Sequence, residues 1–397
     1  MRWIMSAGIL SLTLGYTLSQ FYRAFLAVLS PTLHAELGAG PADLALSSGL
    51  WYFAFAAAQL PVGWALDRFG PGRTVAALLA FGGAGGAAVF AMAQQPWHLH
   101  VAMTLLGIGC APVMMGSFYI FARTLPASAM SAAGGAVVGI GSLGNMLGAA
   151  PLVWVIGEIG WRPTLWALAV ITLAVSATIA SFVSDPPKPA EDQPKASLRG
   201  LLQVRELRFI LPLLGVTYAA SACIRGLWAG PYLTEVFGAS DQLIGWVTLG
   251  MGIAMVTANL SVGRVVQLVG SDKKLSIANT LLLCLVLALL WLFPGTSLAL
   301  SSVLLVMVCI SDSSYSLIMS HGRAFMPQHL VGRGITFLNM VSIAGVGIMQ
   351  FLSRPVYLAS SASHPPAAAY SYIFLFFLIP LVIGLGFYLF SAEDRHD

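Results

Sequence analysis

Residues 8–33 read GILSLTLGYTLSQFYRAFLAVLSPTL. About 20 apolar residues of helix cross a bilayer core, so this run is long enough to span one. Arg23 lies inside it. A guanidinium at membrane depth costs at least ~2.5 kcal/mol on insertion scales, so such a residue is expected to face an internal cavity. The run 209–236 repeats the arrangement around Arg225. Tyr16, Ser19 and Arg23 form Y-x-x-S-x-x-x-R, and Tyr218, Ser221 and Arg225 form the same pattern. Spacings of three, four and seven put each trio on one helix face. Two basic polar faces in membrane helices point to a carrier of something anionic.

The rest of the chain agrees with a membrane reading. Of 397 residues, 58% are hydrophobic and 9% charged, with a mean hydropathy of +0.85; soluble domains carry ~25% charged residues. Apolar runs recur at 8–33, 43–66, 74–94, 98–122, 132–157, 163–184, 209–236, 241–267, 275–294, 297–321, 334–358 and 369–391. They lack period-2 alternation, which excludes a barrel and predicts an all-α protein of twelve transmembrane helices. The first run is too long, and too polar at Tyr16, Ser19 and Arg23, for a cleaved signal peptide. Cys110, Cys223, Cys284 and Cys309 fall inside runs at spacings that fit neither a zinc motif nor a disulfide framework. They read as small buried residues. With no nucleophile–base pattern, metal-ligand cluster or nucleotide loop, the sequence predicts no enzyme and no cofactor, and coupling to an ion gradient rather than ATP.

One stretch breaks the hydrophobicity. Residues 185–208 hold Pro186, Pro187, Pro189, Pro194 and nine charged side chains. They read as a linker between an N-terminal half, 1–184, and a C-terminal half, 209–397, with a surface helix expected over 197–208. The halves align at an offset of 200. Gly15, Gly38, Gly63, Gly70 and Gly134 pair with Gly215, Gly238, Gly263, Gly270 and Gly334, and Pro31 with Pro231. Glycine frequency alone gives about two such glycine pairs over a chain with 41 glycines. The Tyr/Ser/Arg trios sit at 202, so two residues must be absorbed locally, with Gly226 and Gly230 as places where backbone can adjust. Two parallel six-helix halves are a known build of secondary transporters.

Lys and Arg set the orientation. Arg2, Arg68, Arg73, Arg123, Lys188, Lys195, Arg199, Arg205, Arg208, Lys273, Lys274, Arg323, Arg333 and Arg395 fall on one side, with Arg264 at its edge, and only Arg162 and Arg354 on the other. Both termini and the linker are therefore expected in the cytoplasm of a bacterial-type inner membrane. The net charge of +4 is this loop bias and gives no nucleic-acid footprint.

After the second run comes Gly63-Trp64-Ala65-Leu66-Asp67-Arg68-Phe69-Gly70-Pro71-Gly72-Arg73. Gly63 would allow close helix packing. Asp67 would cap the next helix or pair with a cation, and Gly70 would permit a tight turn. This stretch resembles the G-x-L-a-D-r-x-G-r-k loop of the major facilitator superfamily, with Pro71 and Gly72 departing from its basic pair. The second copy, 263–274, has Gln267 in place of the Asp. The resemblance implies the twelve-helix fold, a monomer in the bilayer, and a gating role for Gly63, Asp67, Arg68, Gly70 and Arg73. In that role Asp67 would latch the halves in one access state. Within the superfamily, the paired faces resemble the organophosphate:phosphate antiporter group, which implies that Arg23 and Arg225 bind the substrate with Tyr16 and Tyr218 beside them. The guanidinium fork suits phosphate, carboxylate and other small oxyanions.

Other signals are weaker. Met103 stands where proton-coupled members of the family often carry Arg, four residues before Gly107. Gly135, Gly139, Gly141, Gly144 and Gly148 precede Pro151, with Ala149 where antiporters carry Pro; close helix packing is their first reading. Asp312, the only acid deep in a run, would carry a coupling proton or balance Arg225 or Arg23. His321, Arg323 and His329 read as loop residues; Asn145, Asn339 and Gln350 as interhelical hydrogen-bonding groups before substrate contacts. Met251 with Met255, and Cys110 with Met114, have soft-metal spacing, but helical pairs of methionine are expected as packing in a chain with 15 Met. The sequence thus predicts an anion carrier working with a proton or a counter-anion. The alternatives are a copper or neutral-solute carrier of the same fold, or a transporter-like sensor. A cysteine introduced at position 192 should react with a membrane-impermeant maleimide only after the cells are opened; labelling of intact cells would reverse the orientation.

Overall fold

The computed structural model describes residues 7–124, 127–186, 204–326 and 331–393. Arg2, most of the expected linker with its surface helix (187–203, including Lys188, Lys195 and Arg199), His329 and Arg395 lie outside them, as do the surroundings of Gly135 and the side chain of Arg333. Among the described residues the regular structure is helical throughout. The chain divides into two compact units, Met1–Gln193 and Pro194–Asp397.

Among the described residues twelve helical rods follow one another. In the first unit they are α1 (7–37), α2 (Pro41–Phe69), α3 (Pro71–Ala91), α4 (Pro96–Thr124), α5 (127–159) and α6 (Trp161–Phe182). In the second they are α7 (Leu207–Phe237), α8 (Asp241–Val269), α9 (Asp272–Leu292), α10 (Leu298–Ala324), α11 (Val331–Ser361) and α12 (Pro366–Leu389). Nine are long and apolar enough to cross a bilayer, and α5 makes a tenth as a bent pair. The two remaining rods, α1 and α2, are long enough but more polar. The runs expected as single helices at 8–33 and 132–157 are both broken. α1 is interrupted at Phe25. α5 bends by 46° after Leu147, where Pro151 removes an N–H and its ring crowds the carbonyl four residues back.

The repeat is built into the helix ends. α2 and α8 are each 29 residues long and begin and end 200 residues apart. Left-handed glycines stop the first rods of both units: Gly38 donates to the His34 carbonyl (3.1 Å) and Gly238 to the Thr234 carbonyl (2.8 Å). Gly70 (φ 90°) and Gly270 (φ 74°) both have positive φ at the ends of α2 and α8, but only Gly270 is left-handed helical, donating to the Val266 carbonyl at 2.7 Å. The arginine trios run at 202, and the second of them ends in a π turn of α7, Ile224–Trp228, containing Arg225 and Gly226; that turn follows Tyr218 and Ser221 and so does not produce their offset.

Glycine brings α5 onto α1. A Cβ at Gly141 would strike the Tyr16 ring, and one at Gly144 would strike the Thr17 carbonyl. By contrast, a Cβ at Gly139 or Gly63 meets nothing within 4 Å, so Gly63 makes no close approach in its own unit, against expectation. At the opposite end of α1, Arg162 pairs with Glu36 (2.5 Å) and donates to the Ala93 carbonyl (3.2 Å), tying α6 to α1 and the end of α3. Gly144→Ala should lower the melting temperature in detergent by several degrees, since overpacking against backbone costs ~1–3 kcal/mol. Gly139→Ala should leave it unchanged or raise it slightly.

Candidate functional site

In the first unit, α1 carries the Tyr16/Ser19/Arg23 face inward. Tyr16 is buried, and its hydroxyl accepts from the Gln20 amide at 3.1 Å. The Arg23 guanidinium lies 5.0 Å from the ring centroids of both Trp51 and Phe55 on α2. Those rings stack on each other at 5.1 Å and 20°. A delocalised cation over stacked aromatic faces is held by the rings' quadrupoles, worth ~2 kcal/mol when desolvated. The Cys110 thiol of α4 sits against Ser19 and Arg23. Sequence reasoning missed Trp51 and Phe55. Their signal was the i, i+4 aromatic pair on one face of the helix after Arg23.

In the second unit, both charged residues of the candidate site occupy irregular turns. Arg225 lies in the π turn of α7 and is 3% exposed. Asp312 lies in a 3-10 turn, Ser311–Ser313, which interrupts α10. Mid-helix turns of both kinds recur at functional sites. Ser221 Oγ, from the α7 trio, donates to Asp312 Oδ1 at 2.5 Å. Arg225 and the side chain of Asn259 on α8 act on the same carboxylate. Of the two arginines offered as partners for Asp312, Arg225 therefore shares its unit and its charge. Tyr218 stacks on Tyr315 at 5.3 Å, and the Tyr315 hydroxyl donates to Asn339 Oδ1 at 2.7 Å. Asn339 is thus interhelical, as expected. Met251 and Met255 are buried on α8 below Asn259, whose amide donates to the Met255 carbonyl at 3.0 Å. Among the described residues no three His, Cys, Asp or Glu gather as metal ligands.

Glu235, one turn from the end of α7, was also missed. Its Oε2 accepts from Tyr357 (2.8 Å) and Tyr370 (2.9 Å), and those rings pack with Trp228. The spacing Trp228, Tyr232, Glu235 puts all three on one face of α7 and is the signal that could have found them.

Around the loop after α2, Asp67 accepts from the Tyr119 hydroxyl (2.9 Å) and lies 3.7 Å from Arg123, whose guanidinium covers the Tyr119 ring. It pairs with a cation and does not cap α3. That cap comes from Asp185, whose Oδ1 accepts from the Gly72 N–H at 2.7 Å. A cavity of about 250 Å³ here is lined by Asp67, Arg68, Gly70, Arg73, Tyr119 and Asp185. His321 departs from its reading as a loop residue. It is fully buried in α10, with Nε2 donating to the Ala392 carbonyl (3.0 Å) and Nδ1 accepting from the Tyr388 hydroxyl (2.7 Å).

Residues 12–350 match the model of the Major Facilitator Superfamily. The chain belongs to that family. It is a multi-pass membrane protein of a transporter family. Three curated relatives align with parts of it. AraJ of Escherichia coli is 28% identical over 46% of this chain and 45% of its own length. The 4-hydroxybenzoate transporter PcaK of Acinetobacter baylyi is 29% identical over 38% and 33%. The probable sulfoacetate transporter SauU of Cupriavidus necator is 24% identical over 43% and 40%. The matches span less than half of each relative. Among solved structures, a D-xylose–proton symporter superposes with a TM-score of 0.78 at 15% identity, covering 98% of this chain and 99% of that one. This likeness concerns the fold alone.

The Asp67 contacts generate a test of the loop. Asp67→Asn should slow transport several-fold while leaving substrate affinity within a few-fold, since Tyr119 and Arg123 are far in sequence and chemistry from the arginine faces. Uptake rates and equilibrium binding on the same preparation separate the two effects.

Proposed function

We propose that this protein is a secondary active carrier of a small organic anion, working by alternating access in a bacterial inner membrane with both termini cytoplasmic. One observation carries the reading: each unit contains a Tyr/Ser/Arg face within a membrane helix, and each guanidinium is held in place by its own unit. Arg23 is seated on Trp51 and Phe55, and Arg225 is buried beside Asp312. Guanidinium cannot shed its proton, so each face carries a permanent cation that a carboxylate, sulfonate or phosphate can answer with two parallel hydrogen bonds. Two of the three relatives are named for small organic anions, which supports the class. The organophosphate:phosphate likeness remains a narrower form of the same proposal.

Asp312 is the proposed coupling residue. While ionised it shares the Arg225 charge; an entering anion competes for that charge, and protonation of the carboxylate releases the guanidinium to the anion. Proton and anion then occupy the site together, which is symport. Exchange against a counter-anion needs no such acid. The soft-metal alternative loses ground, because a cation at either face would meet a buried guanidinium.

Arg23→Lys and Arg225→Lys should each lower binding of 4-hydroxybenzoate, benzoate or sulfoacetate by tenfold or more, because a point charge does not replace the fork; ~1.4 kcal/mol corresponds to that tenfold change. Asp312→Asn should abolish the response of uptake to a pH gradient while leaving binding nearly intact. Normal uptake by Arg225→Lys in proteoliposomes, or a cation as the best substrate, would reject the anion reading.

A further inference from the structure

The face of α11 that meets α7 is a polar stripe. Asn339, Ser342, Val346, Gln350, Ser353 and Tyr357 follow spacings of three and four, which superimpose on one side of a helix. The stripe is satisfied at both ends. Asn339 accepts from Tyr315 (2.7 Å), and Tyr357 donates to Glu235 (2.8 Å). Along it, Cys223 reaches the Val346 carbonyl (3.7 Å) and Trp228 Nε1 donates to Ser353 Oγ (3.2 Å). α7 and α11 therefore run in the same direction along this contact, and Gln350 faces α7 between these two contacts. Trp228 is the last residue of the π turn that carries Arg225.

Gln350 is 0% exposed, yet neither its Oε1 nor its Nε2 has a hydrogen-bond partner among the described residues. The Ser342 hydroxyl, two turns earlier on the stripe, is in the same condition. An unsatisfied buried amide costs ~1–3 kcal/mol, and an apolar side chain of the same volume would avoid that cost. A polar stripe satisfied at both ends and unsatisfied in the middle, on a helix packed against the one that carries Arg225, has the form of a site completed by a ligand.

We propose that Gln350 is a specificity-determining side chain of this carrier, whose amide binds a neutral hydroxyl or carbonyl group of the substrate while Arg225 takes the anionic group. The inference rests on the reading of Arg225 as an anion seat. The substrate class narrows from any small anion to an oxygenated one, such as a hydroxy- or oxo-acid. An amide both donates and accepts, so it answers a hydroxyl or a carbonyl equally well. A site with a buried amide rejects an analogue that lacks the matching group, because the amide is then left unpaired.

The test uses purified full-length protein and two matched pairs of probes, 4-hydroxybenzoate with benzoate and lactate with propionate. Wild-type protein should bind the oxygenated member of at least one pair more tightly. Gln350→Leu should shrink that preference about tenfold or more while leaving affinity for the deoxy member within twofold. Ligand-free Gln350→Leu should melt no lower than wild type. Equal losses for both members of a pair, an unchanged preference, or a clearly lowered melting temperature would each assign Gln350 to structure and overturn the proposal. Wild-type protein that binds none of the four probes, or prefers the deoxy members, also overturns it. Arg225→Lys keeps the two readings apart. If it binds all four probes normally while Gln350→Leu loses the preference, the anion seat fails and the amide contact stands. If Arg225→Lys abolishes binding while Gln350→Leu keeps the preference, the seat stands and the amide contact fails.

Discussion

A guanidinium in hydrocarbon has to be answered by something, and that constraint organises both units. Water would do it in a soluble protein. Here the answer comes from packed side chains, because membrane depth offers no solvent to share the charge. The first unit uses stacked aromatic faces, with Trp51 and Phe55 under Arg23. The second uses a carboxylate, Asp312, itself held by Ser221 and Asn259. The two answers differ chemically. Aromatic faces hold a cation without neutralising it, whereas a carboxylate can gain or lose a proton. Two copies of the same helix face thus hold their cations by different chemistry.

The backbone carries the same constraint. Every peptide group at membrane depth needs an internal partner, so helix is the only regular structure open to these runs. Departures from α geometry are therefore costly and local. They fall at Phe25, at the bend before Pro151, at the π turns in α3 and α7, and at the 3-10 turn around Asp312. Two of these hold the buried charged pair of the second unit. In α3 the π turn brings Gly82 and Gly83 against Gly109 of α4, a contact that any larger side chain would open.

Composition and periodicity made the helical, membrane-spanning class legible, because twenty-residue apolar runs have one outcome in lipid. The arginine faces were legible for the same reason: a charge in such a run is an exception that needs a cause. What surrounds each arginine was not legible. Trp51 and Phe55 belong to another helix, and their contact with Arg23 depends on helix rotation, which apolar content does not fix. Capping the next helix was one of two roles offered for Asp67 from closeness in sequence; Asp67 takes the other, beside Arg123, and leaves the cap on Gly72 to another residue. That cap comes from Asp185, more than a hundred residues away but adjacent in space. His321 looked like a loop residue because it neighbours Arg323, yet its ring is clamped between Tyr388 and the Ala392 carbonyl.

The unequal offsets of the repeat also record history. Helix ends in the two units keep their 200-residue offset from Gly38 and Gly238 through Gly70 and Gly270, while the arginine faces slipped to 202. Pro31 and Pro231, beyond the arginines, are again 200 apart, so the slip is confined to the working stretch of the helix. After an ancestral half was doubled, the copies were free to diverge in the register of their working residues but not in the length of their rods. Bilayer thickness held the second quantity fixed; only the first was left for selection to change.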